Sequence, residues 1–76
     1  SRASAADTLV VMEDGVIVRS GAGRQYRPIV TLSEKAELKV SSRIFEGQDG
    51  KWYKVIAPVK GRRTVGYINA ADNVRI

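Results

Sequence analysis

The side chains able to do chemistry in this sequence are basic, aromatic or acidic, and none is a histidine or a cysteine. That absence removes the common zinc sites, the thiol nucleophile and the serine–histidine pair. Carboxylates and lysines remain. The acidic pairs Glu13-Asp14 and Glu46…Asp49 lack the ligand spacing of a calcium loop and read as turn residues. The sequence therefore predicts no catalytic residue, no metal site and no cofactor.

Two constellations fit binding instead. The first is Arg24, Tyr26, Arg27, Trp52 and Tyr67, with Asn69 as a further polar partner. Aromatic rings presented beside arginine or asparagine are how a shallow groove holds a peptide or a glycan. The plainer reading has Tyr26 and Tyr67 covering the end of a core and Trp52 half-buried in it. The second constellation is basic: Arg43, Lys51, Lys54, Lys60, Arg62 and Arg63. Within residues 43–63 these cations face only Glu46 and Asp49, so most of the chain's net charge of +5 sits there. Such a patch suits nucleic acid, anionic lipid or an anionic wall polymer. A small barrel can also hold a single strand by stacking bases in a basic groove. Its plainer reading is a solvated loop pair that keeps a small protein soluble.

The elements that must position these residues are short. At 76 residues the chain is one domain with a small core, and it has no disulfide to support that core. Residues 1–7 (SRASAAD) read as a flexible tail or linker, with residues 8–76 as the domain. Ala3-Ser4-Ala5 and Ser4-Ala5-Ala6 fit the small-x-small pattern left by an export signal, which favours a periplasmic or other cell-envelope location over the cytoplasm. The apolar run from Leu9 to Met12 is far too short for a membrane span.

Beyond the tail, apolar and β-branched segments alternate with turns. Leu9-Val10-Val11-Met12 precedes the tight-turn pair Asp14-Gly15. Val16 to Arg19 and Ile29 to Leu32 read as strands, separated by a glycine-rich break and a loop from Arg24 to Pro28. Residues 31–45 carry two periods. Leu32, Ala36, Val40 and Ile44 recur every fourth residue, as on a helix, while Ala36, Leu38 and Val40 alternate with Glu37, Lys39 and Ser41, as on a strand. The strand is preferred, because it pairs across Gly47-Gln48-Asp49-Gly50 with Trp52 to Ala57. Pro58 to Arg63 reads as a basic loop, Thr64 to Ile68 as a strand with Gly66 inside it, and Val74 to Ile76 as a closing strand. The expected fold is all-β: a small barrel or sandwich of five to six short antiparallel strands. Val16, Val18, Ile29, Leu38, Val40, Val55, Ile68 and Val74 would fill it, with Tyr53 flanking.

Four segments in order resemble the bacterial SH3-like domain family across roughly residues 16–76. Val16-Ile17-Val18-Arg19-Ser20-Gly21-Ala22-Gly23 is similar to its opening V-R-S-G motif. Tyr26 with Ile29 to Leu32 is similar to its aromatic and following strand. Trp52-Tyr53-Lys54-Val55 and Gly66-Tyr67-Ile68 match its W-Y-K-V and G-W/Y-V/I segments. Ala22 stands where proline is usual, and Lys35-Ala36 where Lys-Gly is common. The resemblance implies an SH3-like barrel and a non-catalytic module that recognises peptidoglycan or wall peptide on Trp52, Tyr26 and Tyr67. The competing expectations are a module docking a neighbouring domain or partner protein, and a basic barrel binding nucleic acid. Proline-peptide recognition in the manner of the eukaryotic relatives is not expected, because Val16 to Gly23 holds no aromatic.

Overall fold

The computed structural model describes residues 7–76, the side chains of residues 43–45 excepted. The reading of the first seven residues, the export pattern within them and the side chain of Arg43 therefore lie outside the described residues, Asp7 apart.

Regular structure in the described residues is strand: β1 (Thr8–Val11), β2 (Val16–Arg19), β3 (Pro28–Leu32), β4 (Glu37–Gly47), β5 (Gly50–Val59), β6 (Arg62–Asn69) and β7 (Val74–Arg75). All pair antiparallel in one sheet, in the order β3-β2-β6-β5-β4-β1-β7. Seven strands form rather than five or six, because the short segments at both ends pair with each other, Val10 opposite Arg75 and Val11 opposite Val74. The sheet curls into a small all-β barrel. Leu9 and Val11 of β1 meet Val16 and Val18 of β2 in one core although three strands lie between β1 and β2 in the ladder.

Residues 31–45 settle as the alternating pattern requires. Leu38 and Val40 are buried, while Glu37 and Lys39 are exposed. Leu32 ends β3, and Lys35 turns the chain with a φ of 76°, which no helix accommodates. The core holds Val16, Val18, Leu38, Val40, Val55 and Ile68 as expected, and adds Leu9, Val11 and Ala57. Ile29 and Val74 are only half-buried, because β3 and β7 are the two edges of the sheet.

Two turn readings change. Asp14-Gly15 does turn the chain, with Gly15 at φ 99°, but β1 and β2 are not partners. The turn is a corner, tied by a bond from Gly15 N to Leu32 O at 2.9 Å. The basic stretch Pro58 to Arg63 is not a loop. β5 and β6 run on to Val59 opposite Arg62, joined by Lys60 and Gly61 alone. Both take positive φ, 53° and 80°, which suits the twist of a two-residue hairpin.

Candidate functional site

A groove of about 490 Å³ opens where the segment after β2 faces the far ends of β4 and β6. On the first side, backbone bonds from Gly23 N to Gly21 O (3.0 Å), Tyr26 N to Gly23 O (3.1 Å) and Ser20 N to Arg27 O (2.9 Å) close residues 20–27 into a compact loop. The Tyr26 ring lies directly over Gly21: a Cβ there would meet three ring carbons at 2.7–2.8 Å. Arg19 holds the loop from outside, Nη1 donating to the Tyr26 carbonyl at 3.1 Å. Tyr26 keeps 46% of its surface exposed.

Tyr67 of β6 with Glu46, Gly47 and Gln48 at the end of β4 form the second side. Register places Tyr67 in a row Arg19–Tyr67–Lys54–Ser42 across four strands, and directly opposed residues share a face of the sheet. The two sides meet at Ala22 and Gly47. A Cβ on Gly47 would lie 2.5 Å from the Ala22 carbonyl oxygen and 3.0 Å from Trp52 Cδ1, so the floor there is backbone over indole. Gln48 N donates to Ala22 O at 3.3 Å.

The structure thus brings Tyr26 and Tyr67 together but separates them from the other expected partners. Trp52 offers no ring to a ligand: it is 1% exposed and supports the groove floor. Its place follows from the pleat of β5. Tyr53, Val55, Ala57 and Val59 point to the main core, and Trp52 points to the opposite face, outside the main core cluster. Trp52 Nε1 is buried with no hydrogen-bond partner among the described residues. Asn69, opposite Trp52 in register, is buried as well and works as a brace. Its Nδ2 donates to Asp49 O at 3.1 Å, and its Oδ1 accepts from Ala71 N at 2.8 Å. Arg24 turns away toward Asp72, Nη2 to Oδ1 at 3.9 Å, while its backbone N bonds Asp49 Oδ2 at 2.8 Å. It lines a separate polar cavity of about 280 Å³ with Asp14, Arg19 and Asn73. Arg27 is exposed and does not line the groove.

The sequence reading places Glu46 and Gln48 in the turn after β4 and gives neither a binding role. It also missed the backbone floor, although the glycines at 21 and 47 were visible signals of close approach.

Lys51, Lys54, Lys60, Arg62 and Arg63 do not form one face. Lys51 lies near the start of β5, and Lys60, Arg62 and Arg63 cluster at its far end. Nine residues of strand, roughly 30 Å, separate Lys51 from Lys60. Lys54, partly buried, stands between them beside Tyr67. Arg63 instead borders a shallow, mainly aliphatic cavity of about 350 Å³ with Glu37, Lys39, Ile56 and Pro58.

Comparison with protein-family models, with curated proteins and with solved structures finds no match to this chain. No helix among the described residues is long and apolar enough to cross a membrane.

Proposed function

We propose that this barrel is a non-catalytic binding module that holds a peptide of the bacterial cell wall in the groove between Tyr26 and Tyr67. The observation that carries the reading is the convergence of those two rings, from separate parts of the sequence, on one groove with a backbone floor. A floor of backbone edges and small side chains, walled by aromatics, accepts an extended chain and fixes it with few contacts. The motif resemblance of residues 16–76 to bacterial SH3-like domains supports the ligand class, and an exported, cell-envelope location follows from the same reading.

The test is co-sedimentation with purified peptidoglycan. Wild-type protein should pellet with it, and Tyr26→Ala and Tyr67→Ala should each reduce the bound fraction severalfold while remaining folded. Equal retention of all three proteins, or no retention of any, overturns the reading. Trp52→Ala does not belong in the comparison, because the residue is buried beneath the groove.

The placement of Lys60, Arg62 and Arg63 around one hairpin end favours one second reading, an anionic partner met there. The neighbouring surface is built from Ile56, Pro58 and the half-exposed Val65 rather than from rings on which bases stack, which weighs against single-stranded nucleic acid. Fluorescence anisotropy with a labelled oligonucleotide at low and high salt separates the two: a salt-sensitive rise would support nucleic acid, and none would remove it.

A further inference from the structure

The chain carries +5, yet among the described residues the charged side chain that lines the groove is acidic, Glu46. Arg24 and Arg27, expected to supply positive charge there, do not line it, and Arg24 lies beside Asp72 instead. Lys51, directly opposite Glu46 across the β4–β5 hairpin and so on the same face of the sheet, and Lys54, beside Tyr67, do not line the groove, and Arg19 Nη1 donates to the Tyr26 carbonyl. Glu46 is exposed and makes no ion pair among the described residues.

We infer that this groove is a recognition site for an ammonium group on a peptide, with Glu46 as the counter-charge and the rings of Tyr26 and Tyr67 as its walls. The inference rests on the peptide-binding reading above and adds its chemical selectivity. An ammonium ion near an aromatic face is attracted by the ring quadrupole, and a carboxylate at the same groove adds a charge-assisted hydrogen bond. A carboxylate ligand would meet Glu46 with like charge, and an uncharged chain would leave Glu46 without a partner. Two sources supply the group, a free peptide N-terminus and a lysine-type side chain, and both present the same ammonium.

The experiment uses the full chain, labelled with ¹⁵N, and three peptides with amidated C-termini: trialanine with a free amine, Nα-acetyl-trialanine, and Nα-acetyl-Ala-Lys-Ala. Titration followed by amide chemical shifts should move Gly21, Ala22, Gly47 and Tyr67 with the first or the third peptide. The acetylated trialanine should bind at least tenfold more weakly. Whichever amine peptide binds better identifies the source. Glu46→Gln should weaken the amine peptides about tenfold and leave the acetylated trialanine unchanged. Equal binding of amine-bearing and acetylated peptides, indifference of the amine peptides to Glu46→Gln, or no shift with any peptide overturns the inference. The two proposals fail separately. Amine-selective binding without retention on peptidoglycan removes the wall assignment alone, and peptidoglycan retention that Glu46→Gln does not alter removes the ammonium site alone.

Discussion

Val18 Cγ1 occupies the space that a β-carbon on Gly66 would need, and the carbonyl oxygen of Arg19 closes the same space at 3.2 Å. The contact lies where β2 crosses toward β6, so the absence of a side chain at 66 lets the sheet curl there. Gly66→Ala should destabilise the domain by about 1–3 kcal/mol through overpacking. Val18→Ala made in the Gly66→Ala background should recover part of that loss, because it empties the contested volume. A urea-denaturation double-mutant cycle measures the coupling; additive effects would show that the two side chains do not compete.

Trp52 should behave as buried structure rather than as a binding surface. Trp52→Ala removes a fully buried ring and should cost roughly 3–5 kcal/mol, enough to leave a small domain largely unfolded. Trp52→Phe keeps most of the volume and removes a buried N–H that has no partner among the described residues, so its cost should fall well below that of the alanine variant. Thermal unfolding of the two variants checks the order. Comparable losses would mean that the indole nitrogen is bonded in solution.

Asn69 braces the β4–β5 turn against the segment after β6. Asn69→Ala leaves the Asp49 carbonyl and the Ala71 amide without their partner and should cost about 1–3 kcal/mol. Asn69→Asp restores only the bond from Ala71 and sets a carboxylate against the Asp49 carbonyl, so it should not recover the loss. Chemical denaturation of both variants checks this; full recovery by aspartate would remove the role of the Nδ2 donor.

Two lysines sit in backbone conformations that L-residues disfavour, Lys35 at φ 76° and Lys60 at φ 53°. Lys35→Gly should relieve the first, and Lys60→Asn would create the Asn-Gly pair preferred in a two-residue hairpin. Each should raise stability by up to about 1 kcal/mol, which in a domain this size raises the midpoint by roughly 4–8 °C per kcal/mol. A lowered melting temperature in either variant contradicts the turn geometry.

Val55 sits fully buried at the centre of the core, opposite Gly66 on the neighbouring strand. Val55→Asp puts a carboxylate there with no partner and should abolish the cooperative unfolding transition followed by circular dichroism. A variant that still melts cooperatively near the wild-type temperature would displace Val55 from the core.

Most of the ladder was legible in the sequence because half-buried strands carry a period of two. For residues 31–45 the alternation competed with an every-fourth-residue pattern, and the pairing across Gly47-Gln48-Asp49-Gly50 with Trp52 to Ala57 favoured the strand. The turn at Lys60-Gly61 was not legible as a hairpin, because lysine there masks a conformation normally announced by asparagine or aspartate. Trp52 carried two readings, a groove wall and half-buried packing. Its full burial goes with Gly47 lying over the indole and the Ala22 backbone lying against Gly47, contacts that no local pattern encodes. The same long-range closure moved Glu46 into the groove and Arg24 out of it, and nothing local to either residue encodes that exchange. Tyr26 and Tyr67 were candidates because aromatic rings presented beside arginine or asparagine suit a shallow groove.

The β2–β6 pairing also has a dynamic consequence. A single register pair, Arg19 opposite Tyr67, joins the β2–β3 hairpin to the β4–β5–β6 meander. The groove straddles that junction, with Tyr26 on one side and Tyr67 on the other. A sheet opens most readily along its thinnest line of hydrogen bonds. The same line therefore governs how far the two tyrosine walls can separate, and a molecule seated between them would act as a clasp, slowing hydrogen exchange at Arg19 and Tyr67 before it slows exchange in the core.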